Sequence, residues 1–190
     1  MKNYALNLHN DRWSKRLIII LFLAGIILGG LASQALSVDI RSDLGQGLVD
    51  AASLTADNKA LNIAALKSNL WEILKLYLGG LCLFGCVYIP AYMFLKGFSF
   101  GFTLCFMLVE NPWQDWSITL GTVIVPQLLF LPIMFLAAIL MLNMSWQIFI
   151  YTKRELLGEV VRSSLIMAFL TILTVMVSLI SGGITFWLVS

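Results

Sequence analysis

The sequence predicts an all-α fold: a polytopic membrane bundle of five transmembrane helices in one domain, residues 1–190, with the N-terminus in and the C-terminus out. Composition is the first reason, since 60% of the 190 residues are hydrophobic, 12% are charged and the mean hydropathy is +0.93. Soluble domains carry about twice that share of charge. Spacing is the second reason, because the charged residues leave five long stretches with little or no charge. A net charge of +2 without a dense basic run excludes a nucleic-acid-binding face.

The first predicted span is residues 17–37, just after a basic N-terminal segment. A hydrocarbon core about 30 Å thick needs about 20 helical residues, which this stretch supplies. The rival interpretation is a cleavable signal peptide that ends near Ala35. The length of the apolar stretch and the stripe of Gly25, Gly29 and Ser33 favour a retained helix that packs closely against another.

A polar segment, residues 38–75, follows the first span and is the only connection long enough to form a sizeable surface. Ile40, Leu44 and Leu48 recur at helical spacing, away from charged residues such as Asp43. This spacing predicts an amphipathic helix in an outer segment.

The second and third predicted spans are residues 76–95 and 95–113. An uncharged stretch that ends before Lys96 supplies the second. The apolar stretch after Lys96 would cover only about 20 Å as a helix, so the third span includes its flanks and Lys96 snorkels to the interface. On this division no ionisable residue lies deep in a span, which disfavours a proton-driven pump.

The fourth and fifth predicted spans are residues 117–150 and 164–188. The fourth stretch is too long for one straight crossing, so we expect it to be tilted or bent. Pro126 and Pro132 would kink it or interrupt its hydrogen bonds. Gln127 is then a polar residue at depth, where hydrogen bonding between helices is its default role.

Two topologies fit these stretches, five full crossings or a re-entrant hairpin over residues 97–125. With five crossings and the N-terminus inside, eight Lys and Arg residues are cytoplasmic and three are outside, with Lys75 at a boundary. The re-entrant arrangement gives five against six. Because cytoplasmic loops carry the excess of basic residues, five crossings are favoured.

The chain offers few residues for catalysis. Its only histidine, His9, lies in the N-terminal tail, which excludes a histidine-based triad or zinc site. Cys82, Cys86 and Cys105 lie in apolar stretches and are predicted to be buried, inert thiols. We therefore predict a protein that is not an enzyme, with no catalytic residue, no cofactor and no metal site.

Two runs resemble signature stretches of the stage II sporulation protein M family. Residues 92–103 contain a Phe-Leu-Lys-Gly junction that resembles the one leading into that family's glycine-rich third helix. Residues 125–132 contain a proline-glutamine pair followed by a second proline, as in its fourth helix. Glycine spacing in the first span is also similar. The helix-packing and family-motif residues are Gly25, Gly29, Lys96, Gly97, Gly101, Pro126, Gln127 and Pro132.

The resemblance implies a non-enzymatic, multi-pass protein of the mother-cell membrane at the sporulation septum. The family member that acts in sporulation anchors two peptidoglycan-degrading partners, stage II sporulation proteins D and P, for engulfment. Relatives also occur in organisms that form no spores. The lipid bilayer is the other expected partner, and the sequence leaves open whether the chain forms a homo-oligomer. The leading hypothesis is thus a membrane scaffold, and the alternative is a small channel or transporter built on the proline-broken fourth helix.

Overall fold

The computed structural model describes residues 2–37, 40, 58–82, 84–110, 125–150 and 153–189. Five helices contain nearly all of these residues. Their bounds are Lys2–Gln34 (α1), Asn58–Leu81 (α2), Gly85–Glu110 (α3), Val125–Ile150 (α4) and Lys153–Val189 (α5). No strand occurs in the described ranges, so the prediction of an all-α chain is confirmed.

Four of the five helices are long and apolar enough to cross a membrane. The qualifying segments are Trp13–Gln34 in α1, Gly85–Leu108 in α3, Gln127–Ile148 in α4 and Val160–Ile180 in α5. Helix α2 is not among them, because Lys59, Lys67, Glu72 and Lys75 are distributed along its 24 residues. The chain therefore has the helices of a membrane protein, with one helix of mixed character.

The helix bounds correct the predicted division into second and third spans. The predicted span 76–95 is interrupted where α2 ends at Leu81 and α3 begins at Gly85. Backbone hydrogen bonds close this tight turn, including the bond from Gly85 N to Cys82 O at 2.9 Å. Helix α3 then continues through residue 95 and places Lys96 in its interior. A charge does not end the helix here, because Lys96 has a pairing partner inside the bundle.

The predicted outer segment 38–75 also differs from the structure in its second half. Residues 58–75 belong to α2, and Ile73 of this helix lies in the bundle core with only 2% of its surface exposed. The reason is an apolar stripe on α2 that packs against α4 and α5. The amphipathic helix predicted around residues 40–52 lies outside the described residues, apart from Ile40.

Contacts between the helices fix their directions. Gly25 faces Phe94 while Gly30 faces Cys105, so α1 and α3 run parallel. Helix α2 is antiparallel to α3, because Glu72 meets Lys96 and Gly79 meets Tyr88. The direction of α2 is therefore opposite to that of both α1 and α3.

The remaining helices continue this alternation. Phe135 of α4 packs on Phe22 of α1, while Ser145 lies ten residues later beside the α2–α3 turn. Helix α4 therefore runs antiparallel to α3, and α5 starts at the end where α4 stops. We call the end with Leu81 and Gly85 the first end, and the opposite one the second end. The core is built around α4, whose buried residues include Ile133, Met134, Ala137, Ala138 and Met141.

Candidate functional site

An ion pair joins α2 to α3 inside the bundle. Lys96 Nζ donates a hydrogen bond to Glu72 Oε1. The two side chains are only 27% and 14% exposed, respectively. Because Lys96 occupies the middle of the apolar segment Gly85–Leu108, the pair lies at mid-depth of α3. Ionisable side chains at such depth are tolerated when they pair with one another.

A phenol lies near this polar site. Tyr92 is one helical turn before Lys96, on the same side of α3. It also stacks on Tyr88, with ring centroids 6.0 Å apart. Glu72 Oε2 is buried and accepts no hydrogen bond from the described residues. The carboxylate and the ammonium group thus meet at one level, where their pairing can orient α2 on α3.

Helices α1 and α3 cross with their backbones in contact. A side chain on any of four glycines would overlap a carbonyl oxygen of the opposite helix. The overlaps pair Gly25 with Phe94, Gly29 with Phe98, Gly97 with Phe22 and Gly101 with Ile26. Both small-xxx-small pairs therefore meet each other, and we call these four residues the glycine contact. Lipid tails are as apolar as the helices, so the hydrophobic effect does not drive helices together inside a bilayer. Close approach favours association there because it increases van der Waals packing.

The α2–α3 turn is tied to α4 by one serine. Ser145 Oγ donates a hydrogen bond to the Cys82 carbonyl oxygen at 3.2 Å. The Cys86 thiol lies 3.3 Å from Ser145 Oγ and can donate to it. The prediction of buried thiols is wrong for Cys82, which is exposed at the turn, while Cys86 and Cys105 are half-buried. The helix break after Leu81 is what brings Cys82 to the surface.

A groove of about 440 Å³ lies between α2 and α5. Its walls are mainly apolar and include Ile73, Met167 and Ala168. One polar contact crosses it, from Tyr77 to Ser164 at 2.8 Å. The Tyr77 hydroxyl is the donor, because Ser164 donates its own proton to the Val160 carbonyl. This contact closes the two helices on each other near the first end.

The ion pair, the Tyr77–Ser164 contact and the Ser145–Cys82 bond each join two separate parts of the bundle. Within the residues that the structure describes, no group of three or more His, Cys, Asp or Glu side chains could hold a metal ion.

The sequence model for stage II sporulation protein M matches residues 18–185, which is most of the chain. The chain belongs to this family. No curated protein matches it, and no solved structure does.

The stage II sporulation protein M match covers the glycine contact, the ion pair and the α2–α3 turn. Of the residues chosen from sequence, the four glycines come together at the α1–α3 crossing, and Lys96 is the neighbour of Gly97. The other three lie apart from them, on α4. Pro126 stands in the first turn of α4, where its missing N–H is tolerated.

Two expectations about α4 need correction. The helix is not broken, because it continues from Val125 to Ile150 through Pro132, whose side chain is exposed. Gln127 is the third residue of the helix and therefore lies at the second end of the bundle rather than at depth. Pro132 lacks the N–H of one helical hydrogen bond, a loss that apolar helices commonly tolerate.

Sequence reasoning missed Glu72 in this stage II sporulation protein M homologue, although a signal was present. Glu72 and Lys96 are equally distant from residue 84, which lies in the short turn between Gly80 and Gly85. An antiparallel hairpin about that turn brings these two residues to one level. Ser145 and Tyr77 carried no comparable signal, because their partners are a backbone carbonyl and a serine far along the chain.

Proposed function

We propose that this member of the stage II sporulation protein M family is a non-enzymatic membrane scaffold. It holds peptidoglycan-degrading partners, by resemblance stage II sporulation proteins D and P, at the septal membrane of the mother cell during engulfment. Family membership supports a sporulation-related membrane protein. The geometry supports a scaffold through one observation, the unequal ends of the bundle.

The two ends differ in the length of chain that each one anchors. At the first end, 3 residues separate α2 from α3 and 2 separate α4 from α5. At the second end, 23 residues separate α1 from α2 and 14 separate α3 from α4. Both long connections are therefore held at the same end, by helices packed through the glycine contact. A surface for partners is best displayed from such a rigid base.

Charge supports the second end as the outer one, and with it five crossings. With the observed helix bounds, seven basic residues lie at or near the first end and two near the second. They are Lys2, Arg12, Lys15, Arg16, Lys153, Arg154 and Arg162 against Arg41 and Lys59. Because basic residues favour the cytoplasm, the N-terminus is inside and the C-terminus outside. A single cysteine at residue 113 in a chain without native thiols should react with an impermeant maleimide on intact cells. Reaction only after lysis would refute this orientation.

Capture of the two hydrolases tests the scaffold directly. Full-length protein in mild detergent is presented with purified stage II sporulation proteins D and P, and bound protein is measured. Replacing residues 41–45 and 111–115 by glycine and serine should weaken capture at least about tenfold, or about 1.4 kcal/mol. The matched control inserts five such residues after residue 151, at the first end, and should bind normally. Undiminished capture by the outer variants, or none by folded wild type, would contradict the proposal.

A second candidate, a small channel or transporter, is favoured by the ion pair at mid-depth, since intramembrane charges often mark ion paths. With α4 unbroken, Glu72 and Lys96 replace Gln127 as the residues that would carry it. Its test is flux of protons and small ions in reconstituted vesicles. Flux that the double variant Glu72→Leu/Lys96→Met abolishes without loss of helicity would support it. A wild-type protein without flux across the panel would remove it.

A further inference from the structure

The exposed face of α2 carries positive charge in the middle of the helix, unlike the exposed faces of α3 and α4. Five exposed residues follow one another along this face at helical spacing: Ile63, Lys67, Trp71, Lys75 and Leu78. On the apolar segments of α3 and α4, exposed positions include Leu95, Leu108, Leu128 and Leu136 and no charge. We call Lys67, Trp71 and Lys75 the lysine face. It is a cationic stripe on a bundle whose other described flanks are apolar between their ends.

With α2 crossing the bilayer as proposed above, the lysine face lies at the depth of the hydrocarbon. Glu72 marks mid-depth through its partner Lys96. At 1.5 Å per residue, Lys75 lies only about 4.5 Å from the level of Glu72 along the helix, and Lys67 about 7.5 Å. Half of a hydrocarbon core is about 15 Å. Both lysines are therefore anchored in α2 well inside the apolar layer.

The direction of Lys75 makes its charge harder to solvate than that of Lys67. Side chains on a helix point towards its N-terminus, which for α2 is the second end. Lys67 points towards the nearer membrane surface and can snorkel to it. Lys75 points back towards mid-depth instead, and its Nζ lies 6.0 Å from the ring centroid of Trp71, one turn earlier. An aromatic ring compensates an exposed ammonium only in part, so this charge calls for an anion.

We propose that the lysine face docks a transmembrane helix of a partner protein that carries an acidic residue near mid-depth, with Lys75 as its counter-ion. The inference rests on the proposed scaffold function and specifies how a partner is held. A carboxylate on the partner would pair with Lys75, as Glu72 pairs with Lys96 within the chain. Trp71 supplies an aromatic surface beside the pair, of the kind enriched at binding hot spots.

The distribution of charges in this chain argues against a second copy as the occupant. Across the four apolar segments there is no acidic residue, and the carboxylate of α2 already binds Lys96. A second copy would therefore bring lysine towards lysine. Anionic lipid headgroups lie at the membrane surface, about 15 Å from mid-depth, which matches Lys67 but not Lys75.

Synthetic single-span helices provide the probe. The full chain, labelled with a donor fluorophore at the C-terminus, is reconstituted in neutral lipid vesicles with acceptor-labelled leucine-alanine helices. These helices have glutamate, glutamine or leucine at their centre and are otherwise identical. We expect energy transfer from the glutamate helix with an association constant at least about tenfold above that of the leucine helix. Lys75→Met should remove this preference, and Arg162→Met, which deletes an exposed cation of α5, should retain it.

Four results would overturn the proposal. They are equal binding of the glutamate and leucine helices, an unchanged preference in Lys75→Met, self-association of the chain that Lys75→Met abolishes, and free reaction of Lys75→Cys with an impermeant maleimide. The last result would place the face in water. Lys75→Met removes a charge without opening a cavity, and circular dichroism checks that its helices are intact.

The outcome is separable from that of the scaffold proposal. If Lys75→Met captures stage II sporulation proteins D and P as wild type does while it loses the glutamate helix, the lysine face serves another partner. If wild type binds the glutamate helix and neither hydrolase, the docking face stands and the assignment of the hydrolases as partners falls.

Discussion

Replacing Lys96 by Met should strongly destabilise the α2–α3 hairpin. Methionine keeps the volume of the lysine stem but removes Nζ, so the Glu72 carboxylate loses the only hydrogen bond that the described residues give it. Breaking a buried pair by removing one partner costs about 3–5 kcal/mol. Because the two side chains are 27% and 14% exposed, we expect the lower end of that range, about 3 kcal/mol.

The double variant separates the charge from the contact. Glu72→Leu/Lys96→Met replaces both charges by apolar groups of similar size. Its free energy of unfolding should be within about 1 kcal/mol of the wild-type value, or higher than that value. Glu72→Leu alone leaves the ammonium unpaired at mid-depth and should cost about as much as Lys96→Met. The coupling energy between the two positions is then several times that of an exposed pair.

The assay is reversible unfolding in mixed micelles with rising denaturing detergent, followed by circular dichroism. Free energies of unfolding are compared at one detergent composition. If Lys96→Met costs less than about 1 kcal/mol, or as little as the double variant, the pair behaves as a solvated surface pair. The assignment of its depth would then be wrong.

The remaining predictions concern packing. Gly97→Leu should separate α1 from α3 and cost more than about 2 kcal/mol in unfolding, whereas Gly158→Ala, with open space around its Cβ position, should be neutral or stabilising by up to about 1 kcal/mol. Equal effects would contradict the glycine contact. Gly30→Cys should form a disulfide with Cys105 on mild oxidation, because the two Cβ atoms would lie 4.0 Å apart, and Gly158→Cys should not; a mobility shift on non-reducing gels decides. Ser145→Ala should cost about 1 kcal/mol by freeing the Cys82 carbonyl, and an unchanged free energy of unfolding would show that this bond contributes nothing.

Sequence patterns carried the helical class and the glycine spacing well, because both depend on local composition. Gly25 with Gly29 and Gly97 with Gly101 were selected as packing residues by spacing alone. Their meeting with each other could not be inferred, since it depends on the parallel direction of two helices separated by a third.

The division of the middle of the chain failed for a different reason. Counting uncharged residues treats each charge as solvated, and Lys96 was therefore assigned to a boundary. A partner 24 residues earlier reverses that conclusion, and a pairwise effect of this kind is invisible to a one-dimensional hydropathy count. The same reasoning placed Gln127 at depth, because the uncharged stretch extends well beyond the described start of α4.

The parallel crossing of α1 and α3 has a consequence for biogenesis. Gly25 precedes Gly97 by 72 residues, which corresponds to roughly 4–14 s of synthesis. In the proposed five-crossing topology, the glycines of α1 lack their partner helix during that time, and only a chain whose charged α2 crosses back delivers α3 in the direction that fits them. A nascent chain in which α2 failed to cross would present α3 in the opposite direction and leave the glycines of α1 uncovered.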